Sequence, residues 1–234
     1  DELGLLHGLP CGVKDLDATA GLRTTLGSPL HKDDVPKADN FMVGQVRGAG
    51  ANLFCKTNTP EFGAGSNSRN PVWGATGNPF DPMKTAGGSS GGSAAALATD
   101  MMPIATGSDT GGSLRNPAAW CGVAGLRPTT GRYSQRGVVP ISWTRDTIGP
   151  MARRVADLEL MDRVICSTSA VQPADLMRLR LGVERNFFCS DCDPDILRLF
   201  ETGVQQLASA GAEIVEVAIP ELAMATGPSA QHLA

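Results

Sequence analysis

The segment T-A-G-G-S-S-G-G-S-A-A-A-L-A-T-D-M-M-P-I-A-T-G-S-D-T-G-G-S-L-R-N-P-A, from Thr85 to Ala118, places a glycine-flanked serine at each end of one helix-to-strand unit. Ser89 lies in Gly-Gly-Ser-Ser-Gly-Gly and Ser113 in Asp-Thr-Gly-Gly-Ser-Leu-Arg. The first run has the composition of a flexible linker. It passes directly into Ser93 to Thr99, however, a helix built from the smallest side chains and suited to close packing. Met102 to Thr106 reads as a buried strand, and residues 111–120 open another helix. Glycine in such embedded turns permits unusual φ values and close backbone approach.

Working outward, Gly12 to Leu16 is a short strand-like run holding one lysine, Lys14. Residues 38–48 read as a helix with Phe41, Met42 and Val46 on one face, followed by a strand over Ala51 to Lys56. Residues 57–88, rich in Gly, Pro, Asn and Thr, read as ordered loop. On the C-terminal side, Val155, Leu158, Met161 and Ile165 recur at helical spacing within 153–166. Leu179 to Val183 reads as a strand. Asp193-Pro194 supplies an N-cap and a first-turn proline for a helix running to Ala210, and Glu213 to Ile219 reads as a further strand. Alternating helix and strand implies an α/β fold, a mixed, largely parallel sheet with helices on both faces. With no repeats and no linker, residues 1–234 read as a single domain.

Composition narrows the function. A net charge of −4 with scattered Arg and Lys leaves no footprint for nucleic acid. No run of 18 apolar residues is present and the start lacks basic and greasy stretches, so neither membrane span nor signal peptide is expected, and the cytoplasm is the expected compartment. Of the six cysteines, four lie in apolar or strand-like contexts and read as small core residues. Cys189-Ser-Asp-Cys192 has redox or zinc spacing, but no second pair and no nearby His accompanies it. No metal and no cofactor is expected. The chain begins without Met and stops without a capped final element, as a fragment truncated at both ends would. The open strand edges of such a fragment would favour aggregation or demand a partner.

Two chemistries compete for the serines. Gly88-Ser-Ser-Gly-Gly92 matches the nucleophile elbow G-x-S-x-G with Ser90 as nucleophile. That motif needs a strand before it, and Asn78 to Gly87 carries two prolines. It also needs a histidine, and only His7, His31 and the terminal His232 exist. The alternative base is Lys14, whose amine can be neutral if buried. Against this, Lys14 could simply pair with Asp15 or Asp17.

The motifs Gly8-Leu-Pro-Cys-Gly-Val-Lys-Asp15, Gly87 to Ala98, Gly107 to Ala118, Cys121 to Gly131 and Thr144 to Pro150 resemble those of the amidase signature enzymes. They are ordered as in that family and span residues 4 to 165. The resemblance implies the amidase signature fold and hydrolysis of a carboxylic amide through a Ser–cis-Ser–Lys triad. By motif position Ser113 would be the nucleophile, Ser89 the cis-serine and Lys14 the base, with a cis peptide at Gly88–Ser89. Main-chain N–H groups of Thr110, Gly111, Gly112 and Ser113 would meet the oxyanion. Ser90 would support the site, and Asp109 and Arg115 would brace the nucleophile loop. The implied partner is a small-molecule amide, and self-association is compatible with the family. The stretch Trp143 to Pro150 is similar to that of stand-alone amidases such as indoleacetamide and mandelamide hydrolases. The glutaminase-type component of an amidotransferase is the alternative, together with a catalytically incompetent fragment. Residues Gly65 to Trp73 are expected to form part of the wall near Ser113.

Overall fold

Pro10–Lys14, apolar except at its last residue, forms β1 in the computed structural model, which describes residues 3–222. The Asn40 side chain accepts the Val43 N–H at 2.9 Å and so caps α1, Phe41–Gly48. β2, Asn52–Thr57, follows and lies parallel to β1. A two-residue pair, β3 (Arg69–Asn70) and β4 (Gly74–Ala75), is the only pairing of named strands in the long loop that follows. Next come α2 (Gly91–Ala98), β5 (Ile104–Asp109), α3 (Arg115–Cys121), β6 (Ala124–Gly125), β7 (Thr147–Ala152) and α4 (Val155–Cys166).

These strands make one five-stranded sheet in the order β2-β1-β5-β7-β6. β1, β2 and β5 are parallel, and β7 runs antiparallel to both β5 and β6. Side chains alternate across the sheet, which sends Cys11, Val13, Ile104 and Ile148 into one core with Met42 and Val46 of α1 and Met161 and Ile165 of α4. Ala105 and Met151 face the opposite layer, where they meet Ala94 and Leu97 of α2 and Ala118 of α3. Lys14 also belongs to this second face, since its amine reaches the residues that lead into α2.

Besides the two-residue strands β3, β4 and β6, sequence patterning does not reveal the six-residue β7, because Gly149 and Pro150 occupy its centre. Pro150 pairs with Thr106 in the ladder. Its carbonyl faces the other way and accepts the Leu126 N–H at 3.1 Å, so the missing proline N–H leaves the β5 side intact. Elsewhere the boundaries move by a few residues: α3 begins at Arg115, beyond the glycine turn, and β5 extends to Asp109.

The chain divides into two compact units, Asp1–Ala170 and Val171–Ala234. The second is built on β8, Arg180–Val183, parallel to β9, Glu213–Glu216. They are joined through α5, Pro194–Ser209, whose N-cap Asp193 accepts the Asp195 N–H at 2.8 Å. Cys189 and Cys192 are free thiols.

Ile104 is fully buried at the centre of the sheet. Ile104→Ala is expected to lower the free energy of unfolding by about 3 kcal/mol, measured by urea denaturation. A loss near zero would contradict its place in the core.

Candidate active site

Lys14 ends β1 with its whole side chain out of water. Its Nζ lies 2.6 Å from Ser89 Oγ, 2.9 Å from Ser90 Oγ and 2.8 Å from Ser108 Oγ. Among the described residues it forms no ion pair, because the neighbouring acids are otherwise engaged. Asp15 accepts the Thr25 N–H at 2.9 Å, the Thr25 hydroxyl, and Trp73 Nε1 at 3.1 Å. Asp17 accepts the Thr106 hydroxyl at 2.6 Å and Asn40 Nδ2 at 2.8 Å. Burial therefore dominates and pulls the Lys14 amine down to about 7, against the weaker upward pull of Asp17 and Asp109.

Ser89 and Ser90 sit where the loop turns into α2. The Gly88–Ser89 peptide bond is cis. Buried Ser68 holds this turn from outside: its hydroxyl donates to the Ser89 carbonyl at 3.2 Å and accepts the Gly91 N–H at 2.8 Å. At Gly92 an added Cβ would land on the Asn58 backbone, so only glycine lets the helix approach that loop. The Ser90 hydroxyl donates to the Ser108 carbonyl at 3.3 Å. It is fully buried and its hydrogen-bond partners are Lys14 and Ser108, with no histidine among them. That arrangement removes the basis for Ser90 as an elbow nucleophile. His232 lies outside the described residues.

Ser113 stands between the end of β5 and the start of α3. Its carbonyl accepts the Ser90 N–H at 3.1 Å, which ties the two glycine-serine turns together. Its hydroxyl has no hydrogen-bond partner among the described residues. The loop around it is clamped by Asp109, whose buried carboxylate accepts Gly112 N–H at 2.8 Å and Leu114 N–H at 3.0 Å. Arg115 grips the same carboxylate with Nε at 3.0 Å and a terminal nitrogen at 2.9 Å, and Arg127 Nε stands 3.5 Å away. Burial pushes Asp109 up, but these partners outweigh it and hold the carboxyl below the usual carboxylate range. Gly112, at φ +130°, takes a backbone shape that other residues rarely adopt. Its N–H is spent on Asp109, which leaves Thr110, Gly111 and Ser113 as main-chain donors without a described acceptor. The Thr110 hydroxyl donates to Asp146 at 2.6 Å and ties in the loop before β7.

Residues Gly65 to Trp73 divide between two places: Ser68 supports Ser89, whereas Trp73 borders a cavity of about 500 Å³ with Asp15, Phe54, Lys56 and Thr57. Neither Ser89 nor Ser113 lines that cavity. Among the described residues no group of three His, Cys, Asp or Glu is placed to hold a metal. Burial pushes the Cys11 thiol up to about 12 and Cys121 up to about 11, as befits core thiols. Sequence reasoning misses Ser108 and Ser68, and names Asp17 only as a possible ion-pair partner of Lys14, whereas its carboxylate accepts Thr106 and Asn40. Ser108 lies inside a quoted motif, but nothing local distinguishes it from its neighbours.

A family model for Amidase matches residues 1–228. The chain belongs to the amidase family. One relative in this family is the A chain of the glutamyl-tRNA(Gln) amidotransferase of Thermus thermophilus, 45% identical over 94% of this chain and 50% of that protein. Among solved amidase-family structures, the corresponding amidotransferase component from Thermotoga maritima superposes with a TM-score of 0.87 at 32% identity, covering 95% of this chain and 52% of that one. The peptide amidase of Stenotrophomonas maltophilia gives 0.84 at 32% identity, covering 94% of this chain and 50% of that one. The chain spans about half the length of these relatives. Similarity along the chain extends to the amidotransferase components and the peptide amidase alike.

Asp109→Asn is expected to lower the free energy of unfolding by about 3 kcal/mol at neutral pH, by leaving the arginines and main-chain donors poorly matched. Because the folded carboxyl is held down, its contribution is present above its ordinary value of 3.8 and fades as pH falls through the folded value. The deficit, read by urea denaturation, should therefore shrink in acid. A deficit that is absent at neutral pH would contradict the clamp.

Proposed function

We propose that this chain carries the catalytic machinery of an enzyme that hydrolyses a carboxylic amide C–N bond through a serine acyl-enzyme. The observation that carries the reading is the buried Lys14 amine with three hydroxyls and no carboxylate on it. A neutral amine has two N–H bonds and one lone pair. The Ser90 proton is committed to the Ser108 carbonyl, so Ser90 accepts from Lys14. Ser108 takes the second N–H, and the lone pair is left for Ser89, the nearest of the three at 2.6 Å. Ser89 is thereby the hydroxyl through which Lys14 acts.

The reaction follows from that proton order. Ser89 passes its proton to Lys14 and takes one from Ser113 as the Ser113 oxygen attacks the amide carbon. The oxyanion is met by the N–H groups of Thr110, Gly111 and Ser113, while Gly112 shapes the loop by bonding Asp109. The same proton returns through Ser89 to the leaving nitrogen, which departs as ammonia or an amine. Water then attacks the ester with the proton path reversed, giving the carboxylate and free Ser113. No step calls for a cofactor.

A second reading, glutaminase action within an amidotransferase, draws on the 45% identity to a protein named as part of one. It uses the same residues and differs in substrate and partner. No helix among the described residues is long and apolar enough to cross a membrane, and the substrate we propose is a small amide.

A fluorophosphonate probe should give one covalent adduct, on Ser113, as read by peptide mass spectrometry. Lys14→Ala should slow its formation by about 10³-fold. Protonated Lys14 cannot accept a proton, so the rate should rise with pH through about 7 and then level. Ammonia release from glutamine as against other small amides separates the two readings. An adduct on Ser90, or none on Ser113, would overturn both.

A further inference from the structure

Asp17 is a fully buried acid one turn beyond Lys14 that the mechanism above does not use. Its side chain is completely placed. Oδ2 accepts the Thr106 hydroxyl at 2.6 Å, and Thr106 Oγ1 in turn accepts the Lys14 main-chain N–H at 2.9 Å. Oδ1 accepts Asn40 Nδ2 at 2.8 Å, and Asn40 is itself anchored as the cap of α1. The link therefore runs from the α1 cap, through the acid and a central strand, to the backbone of the base.

Burial pushes the Asp17 carboxyl up, against the hydrogen bonds from Thr106 and Asn40 and the charge of Lys56 that pull it down. To stay ionised it needs a countercharge, and Lys14 cannot supply it while acting as a neutral base. Lys56, on the neighbouring strand β2, is the cation available. Its Nζ donates to the main-chain carbonyl of Asp17 at 2.5 Å, to Thr19 Oγ1 at 2.8 Å and to Thr24 Oγ1 at 3.1 Å. All three ammonium protons are thus used, and its charge acts on the carboxylate without a direct bond to it. The other charged or titratable groups around this cluster are accounted for. Asp15 is bonded by Thr25 and Trp73, Asp39 is paired with Arg47 at 2.7 Å, and Asp109 is clamped by Arg115. Cys11 and Cys55 are thiols that burial keeps protonated.

We propose that Asp17 is a positioning residue for Lys14: its carboxylate, balanced by the Lys56 ammonium, steadies the Lys14 main chain through Thr106 and supplies the negative field in which the amine works. This rests on the reading of Lys14 as the base for Ser89 and Ser113. Two opposite consequences follow. Without the Asp17 charge, the protonated form of Lys14 loses support and the amine is freed at lower pH. Without the Lys56 charge, Asp17 turns to Lys14 for its countercharge and holds the proton to higher pH.

The test is the pH dependence of fluorophosphonate adduct formation at Ser113, followed by mass spectrometry in the wild type, Asp17→Asn and Lys56→Met. Asp17→Asn should move the acid limb down by roughly one pH unit, and Lys56→Met should move it up. A merely structural role would slow both variants and leave the limb in place. An unmoved or upward limb in Asp17→Asn overturns the proposal. If Asp17→Asn fails to fold, Lys56→Met decides, since an unmoved or downward limb there overturns it equally. No Ser113 adduct in the wild type would overturn the underlying reading instead.

Discussion

The site depends on keeping one amine dry without giving it an acid. A lysine buried beside a carboxylate would hold its proton, because the pair is stabilised by charge. Lys14 meets three hydroxyl oxygens instead, and burial brings its amine down to about 7. The surrounding acids are each satisfied elsewhere: Asp15 by Thr25 and Trp73, Asp17 by Thr106 and Asn40, Asp109 by Arg115 and main-chain N–H groups. Polar groups that would otherwise compete for the lysine are thus bound before they reach it.

The sheet makes this arrangement attainable. β1 and β5 run parallel side by side, so Lys14 and the loop after Asp109 emerge at the same, carboxyl end of the strands. α2 closes over that end with small residues, and Gly92 lets its first turn lie against the Asn58 backbone. The Ser90 N–H to Ser113 carbonyl bond then joins the turn that carries Ser89 to the turn that carries the proposed nucleophile. Packing and hydrogen bonding converge on a few ångströms of geometry, as preorganised electrostatics require.

Much of this was legible from local pattern. The small-residue helix, the strand holding a lone lysine, and the two glycine-serine turns all carry their meaning within a few residues of sequence. β7 was not legible, because a central Gly149-Pro150 contradicts strand propensity and only its orientation toward Leu126 makes it tolerable. The helix start at Arg115 is displaced from its expected place by the length of the glycine turn that Asp109 clamps. Ser108 reaches Lys14, and Ser68 reaches Ser89, across long stretches of chain, and serine in isolation says nothing of such a role. Asp17 is close to Lys14 in sequence, but its link to the Lys14 main chain runs through Thr106 on another strand. The main-chain donors proposed to meet the oxyanion are readable only as a group. Only coordinates separate Gly112, whose N–H is spent on Asp109, from Thr110, Gly111 and Ser113.

The charge state of Lys14 can be observed without turnover. A titration of its side-chain carbon and nitrogen resonances by NMR, assigned through Lys14→Arg, measures it directly. The account predicts a midpoint near 7. A midpoint at the ordinary lysine value of 10.5 would mean that the amine is charged at neutral pH and cannot serve as the base.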